Sequence, residues 1–245
     1  SNKIYCNSVY NKIDNNDHVD IKNFLKGNLN EGNQILLEEV PRDNFELEEL
    51  WPESPHTQEL KELFLSETKI TGIDIRPYLI PFSWEIADTD ANMGNITIRD
   101  YLQNLEDFFN LKGKFYDTIF HPTLKLLKIK NEGLGKNILL LKKKYLLIKK
   151  EIKDFDNTIV FLLKNNNNIL NKISLLCDEI MEFNTLLNVF TNEKKSIIHT
   201  GLFHSNNILK LLINLYDFKV IYKNGTNNFP PLFEKKDIPS CVYLP

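Results

Sequence analysis

From Thr97 to Glu193 the chain keeps one rhythm. Apolar side chains recur three and four residues apart: Tyr101, Leu105, Phe108 and Phe109, then Phe115, Ile119 and Phe120, and later from Ile169 to Phe190. That is the period of an amphipathic helix, and it leaves no room for the strict alternation of a strand. Thr97-Ile98-Arg99-Asp100 has the form of a capped start, a hydroxyl followed three positions on by an acid. Pro122 admits a new start, and Gly133 and Gly135 mark a turn. Leu139 to Phe155 and Ile159 to Leu163 are helical with lysine-rich faces, and the asparagines Asn165 to Asn168 read as a turn. The spacing predicts roughly four helices between residues 97 and 193.

The flanks follow other rules. Lys3 to Tyr10 favours a strand. Val19 to Leu29 has one apolar helical face, with Asp17 or Asp20 placed to cap it, and Gly32-Asn33 stops it. Gln34 to Val40 is a short apolar run ending in Glu38 and Glu39, closed by Pro41, and it reads as a buried strand with acids at its carboxyl end. Thr57 to Ser66 is a short helix with Leu60, Leu63 and Phe64 inward. Lys69 to Ile75 is a strand closed by Arg76-Pro77, and Tyr78 to Ile86 is a packed loop. After the helical stretch, Ser196 to Thr200 is a strand, Gly201 a turn, Asn206 to Tyr216 a helix capped by Ser205, and Lys219 to Tyr222 a further strand. The predicted fold class is α/β: a short-stranded central sheet with flanking helices and a long all-helical insertion. It is one domain over residues 1–245, with its core in 1–96 and 194–245 and the insertion in 97–193.

Composition narrows the function classes. An apolar fraction of 42% is enough for a core. A net charge of -3 and a pI near 6.0 give no global basic balance, so nucleic acid is not an expected partner. The Lys142–Lys144 and Lys149-Lys150 runs alternate with Leu, Ile and Glu at helical spacing and read as a solvated helix face. No apolar run approaches ~18 residues, so no membrane span is expected. Cys6, Cys177 and Cys241 are odd in number and far apart. That argues for free thiols in a reducing, cytoplasmic compartment. The abundance of Asn, Lys and Ile suits an AT-rich genome, such as those of large DNA viruses, some protists and some intracellular bacteria.

Three constellations have chemical potential. In His199-Thr200-Gly201-Leu202-Phe203-His204, glycine turns the chain from strand to helix, and His204 sits near the helix start as a general base or a metal ligand. The plain alternative is a capped turn with one buried and one exposed histidine. Glu38-Glu39 at a strand end can bind a metal, orient a histidine or polarise water; otherwise it is a solvated terminus. Asp74 and Arg76 lie two apart on a predicted strand and share a face. Either they pair with each other or Arg76 holds an anionic group. His18, before the first helix, is a surface histidine on its own account; His56 and His121 adjoin prolines in loops.

Taken in order, a strand ending in Glu, a strand reading Gly72-Ile73-Asp74-Ile75-Arg76, a long helical stretch and Gly201-x-x-His204 before a helix resemble the Tiki/TraB superfamily. That group includes the erythromycin-esterase-like and ChaN-like proteins and has relatives in large DNA viruses. The family's early Gly-Glu-x-His is replaced here by Asn15-Asn16-Asp17-His18. The resemblance implies a hydrolase, esterase-like or metalloprotease-like. His204 would be base or metal ligand, Glu39 or Glu38 its orienting or metal-sharing acid, and Asp74 a polar strand end. Arg76 would stabilise an anionic group, and His18 and His199 would be further metal ligands. The cofactor it allows is a divalent transition metal; the substrate is unspecified. The alternative is a catalytically degenerate viral structural or host-interaction protein of the same fold, placed in host cytoplasm or virion, whose helices supply the partner surface.

Overall fold

A computed structural model of the chain describes residues 4–7, 17–41, 55–80, 96–110, 112, 132–191 and 195–221. They form a mostly helical α/β protein with a small parallel sheet and flanking helices. No helix among them is long and apolar enough to cross a membrane. The chain divides into two compact units, Ser1–Ile73 with Asn192–Pro245, and Asp74–Thr191.

The first unit holds the sheet. Strands β1 (Ile4–Asn7), β2 (Gln34–Leu37), β3 (Ile70–Gly72) and β4 (Ser196–His199) lie in the order β1-β4-β2-β3, every pair parallel. A parallel strand covered on both faces must be apolar throughout, and Ile35, Leu36, Leu37, Ile197 and Ile198 are all buried. The Ser196 hydroxyl donates to Gln34 Oε1 at 2.8 Å, and the register sets Leu37 beside His199. Helices α1 (Asp17–Asn30) and α2 (Pro55–Ser66) pack together over this sheet. Leu25 and Leu29 of α1 and Leu60, Leu63 and Phe64 of α2 meet Ile35, Leu37, Ile70 and Ile197 in one cluster.

α1 stops where the sequence says it should. Gly32 takes φ 79°, and its N–H donates to the Leu29 carbonyl at 2.9 Å. Gly72 answers a different need. A Cβ there would lie 2.6 Å from the Glu39 carbonyl oxygen and 2.8 Å from that of Val40, so only glycine lets β3 end against the chain leaving β2.

The second unit is helical: α3 (Arg76–Leu79), α4 (Ile98–Tyr101), α5 (Gln103–Phe109), α6 (Glu132–Glu151) and α7 (Ile159–Thr191). Thr97 caps α4 as its sequence indicates, its Oγ1 accepting from the Asp100 N–H at 3.1 Å. α6 packs on α7, and the Phe109 and Tyr145 rings stack with centroids 5.0 Å apart. Within α7 the asparagine tract does interrupt the helix: Asn166 takes φ -156° and ψ 63°.

Several expectations need correction. The strand at Lys69–Ile75 is shorter and ends at Gly72, because Arg76-Pro77 opens α3 with proline in its first turn, where its missing N–H costs nothing. So Asp74 and Arg76 share no strand face, and Tyr78 lies in a helix rather than a loop. The last helix, α8 (Leu202–Tyr216), starts earlier than a Ser205 cap requires, with Gly201 as its N-cap. Finally, Lys219–Ile221 is not a strand. Asp217, at φ 56°, ends α8 with its N–H on the Leu212 carbonyl, and Ile221 is left 81% exposed with no strand partner among the described residues. Tyr222 lies outside the described residues.

Candidate functional site

The connections leaving β2 and β4 part company. β2 leads through α2, which contacts β3 on one side, whereas β4 leads into α8, which contacts β1 on the other. Adjacent parallel strands whose following segments run opposite ways leave a crevice at their carboxyl ends, the usual ligand position in open α/β sheets. Glu38 follows β2 and Gly201 follows β4, so both stand at this divide.

The backbone holds the two segments together. Glu38 N–H donates to the His199 carbonyl at 3.1 Å, extending the β2–β4 ladder by one bond. Glu39 N–H folds back onto the Leu37 carbonyl at 2.7 Å, which also accepts from Ile73 N–H at 3.0 Å. The chain thus turns sharply at Glu38, and its side chain reaches across. Its Oε2 accepts the Gly201 N–H at 2.8 Å, and its Oε1 lies 3.7 Å from His204 Nε2. The first contact puts a carboxylate on the positive end of α8, one of that helix's uncommitted N–H groups. The second is an ion-pair distance, longer than a direct hydrogen bond.

His204 is the third residue of α8 and is buried at 7% exposure; the Glu38 side chain is 23% exposed, so the pair is open to solvent from the acid's side. The Phe203 ring stands edge-on to the imidazole with centroids 5.2 Å apart. Next to it, Ser205 donates to the Thr200 carbonyl at 3.2 Å, and the Thr200 and Ser205 hydroxyls lie 2.8 Å apart. Those bonds tie the end of β4 to the first turn of α8 and hold His204 in place.

The sequence-derived residues therefore separate. Glu38 and His204 meet. Glu39 is half-buried, with its backbone against Gly72. His199 is buried at 5% exposure at the end of β4. His18 falls in α1, and its side chain lies outside the described residues, as do those of Cys6, His56, His121 and Cys241. Among the described residues no three His, Cys, Asp or Glu side chains are placed to hold a metal ion. Glu38 and His204 give two donors, short of the three that catalytic zinc sites use, so the described residues do not fit such a centre.

Asp74 and Arg76 belong to the helical unit. Arg76 Nε and Nη2 donate to the two Asp74 carboxylate oxygens, each at 2.7 Å, and Nη1 donates to Asp178 Oδ1 at 2.9 Å. All three residues are buried. Of the two sequence readings, ion pairing is the one present, with Asp178 of α7 as a second acid. Spacing does carry a signal for that acid. Asp178 and Glu182 are four apart on a helix whose neighbours Cys177, Ile180, Met181 and Phe183 are all buried, so both acids share an inward side. Burial, above all, raises the pKa of the Cys177 thiol well beyond its ordinary range, which keeps it protonated and unreactive.

Compared with known families, characterised proteins and solved structures, the chain matches none.

Proposed function

We propose that the chain is a hydrolase of the Tiki/TraB and erythromycin-esterase-like type, with Glu38 and His204 as its acid–base unit. The observation that carries this is the Glu38 carboxylate, fixed by the Gly201 N–H and facing the His204 imidazole at the carboxyl edge of a parallel sheet. His204 takes a proton from an attacking water. The imidazolium that forms is balanced by Glu38, whose second oxygen is already held. The acid of this pair is Glu38 rather than Glu39. Arg76 is committed to Asp74 and Asp178, and its part is structural. On this reading Asp74–Thr191 is a helical insertion between β3 and β4, starting earlier than the helical periodicity suggests.

The test is a panel of aryl esters and short peptides offered to the intact chain and to His204→Ala. The proposal expects turnover of at least one ester, reduced ~10²–10⁴-fold in the variant, the range for loss of a general base. Turnover that survives His204→Ala, or no turnover across the panel, contradicts it.

A second reading, a catalytically degenerate protein that binds a partner, is favoured by one observation. The outward side of α6 exposes leucines, from Leu146 at 46% to Leu139 at 68%.

A further inference from the structure

A surface helix ordinarily turns its apolar side inward and leaves polar side chains outside. α6 does the first and only half of the second. Leu134, Leu141, Tyr145 and Ile148 are buried on one side. On the opposite side Leu139, Leu140, Leu146 and Leu147 are 68%, 53%, 46% and 52% exposed. At 3.6 residues per turn these four fall within an arc of about 120°. Lys143 and Lys150 run down the middle of that arc, with Leu139 and Leu146 to one side and Leu140 and Leu147 to the other.

The remaining lysines of the run are engaged elsewhere. Lys142 donates to the Phe109 carbonyl, Lys144 pairs with Glu179 and Lys149 pairs with Glu106. Lys143 and Lys150 are exposed, and neither has a carboxylate partner among the described residues. Their spacing is a heptad: Lys143 and Lys150 repeat after seven positions, as do Leu139 with Leu146 and Leu140 with Leu147. In coiled-coil terms lysine holds the a position and leucine holds d and e.

We infer that this face of α6 is a docking surface for an acidic amphipathic helix, one carrying leucine-type residues along its seam and Asp or Glu every seventh position. Charge selects this occupant over the others. In a parallel pair of copies Lys143 would meet Lys143, and like charges at a disfavour association. A helix lying on an anionic bilayer keeps lysines at the edges of its apolar face. Here they lie along its centre, where the ammonium groups would be pressed below the headgroups. An acidic helix instead neutralises the lysines while covering the leucines on both sides.

The experiment titrates the intact chain into two fluorescent peptides of about three heptads. Both have a leucine seam; one carries glutamate at the repeating position and the other lysine. Saturable binding of the glutamate peptide alone is expected. The double change K143E/K150E, at exposed positions and checked for fold by circular dichroism, should weaken that binding at least ~10-fold and confer binding of the lysine peptide. Leu146→Ser should weaken binding of the glutamate peptide, and, added to K143E/K150E, binding of the lysine peptide. Absent or indiscriminate peptide binding would overturn the inference. So would tighter binding to phosphatidylserine vesicles than to the glutamate peptide, or concentration-dependent dimerisation in sedimentation.

Discussion

Glu38 and His204 come together because each is placed by backbone rather than by its own side chain. Glu38 is turned by the short Glu39-to-Leu37 bond, and His204 is carried on the first turn of a helix whose N-cap is Gly201. Other residues make separate statements that can be tested. Lys149 and the Tyr145 hydroxyl lower the pKa of Glu106 below its ordinary 4.5, Lys149 most strongly. A depressed carboxylate contributes stability that is present above its unfolded value and lost as pH falls through the folded one. Glu106→Gln should therefore lower the urea midpoint at pH 7, and the difference from the parent should close as the pH drops below 4.5. A gap that persists in acid would mean that packing, not charge, is at stake. Cys177 should resist alkylation in the native chain and react once urea unfolds it, since burial keeps it protonated. Rapid native labelling, localised to Cys177 by peptide mass mapping, would contradict its placement.

At the level of elements, the short strands and their order of appearance were legible because each is a β-favouring run, the last three closed by proline or glycine and the first by a polar, asparagine-rich stretch. The ends of α1 and α4 were legible because Gly32 and Thr97 act locally. What sequence could not supply was pairing. Lys219–Ile221 has strand composition but follows the left-handed Asp217, and a strand needs a neighbour. Arg76 was readable as a partner of Asp74, but its second acid lies more than a hundred positions away on α7. Removing that arginine leaves two buried carboxylates without their shared cation. Arg76→Ala should cost about 3–5 kcal/mol, read from urea unfolding. A loss under 1 kcal/mol, the size typical of exposed pairs, would show the cluster to be solvated. Gly72→Ala should cost about 1–3 kcal/mol, because its methyl group meets two backbone carbonyls that cannot rotate away. A neutral effect there would mean that the chain after β2 can move aside.

Across the whole molecule, the sheet is assembled from two chain segments with the helical unit between them in sequence. Helical periodicity begins at Thr97, whereas the second compact unit begins at Asp74. The hand-over comes at Asp74, because the ion cluster, not the first long helix, opens the second unit. The same assembly brings residues 163 positions apart, Glu38 and Gly201, into hydrogen-bond contact where adjacent strands diverge. The proposed activity depends on that closure. A double-mutant cycle on Glu38→Gln and His204→Ala, scored by hydrolysis of the best ester in the panel, tests it most directly. If acid and imidazole act as one unit, each single change removes most of the turnover and the double change costs little beyond the worse single. Losses that simply multiply, in variants shown by circular dichroism to be folded, would mean that Glu38 and His204 do not work together.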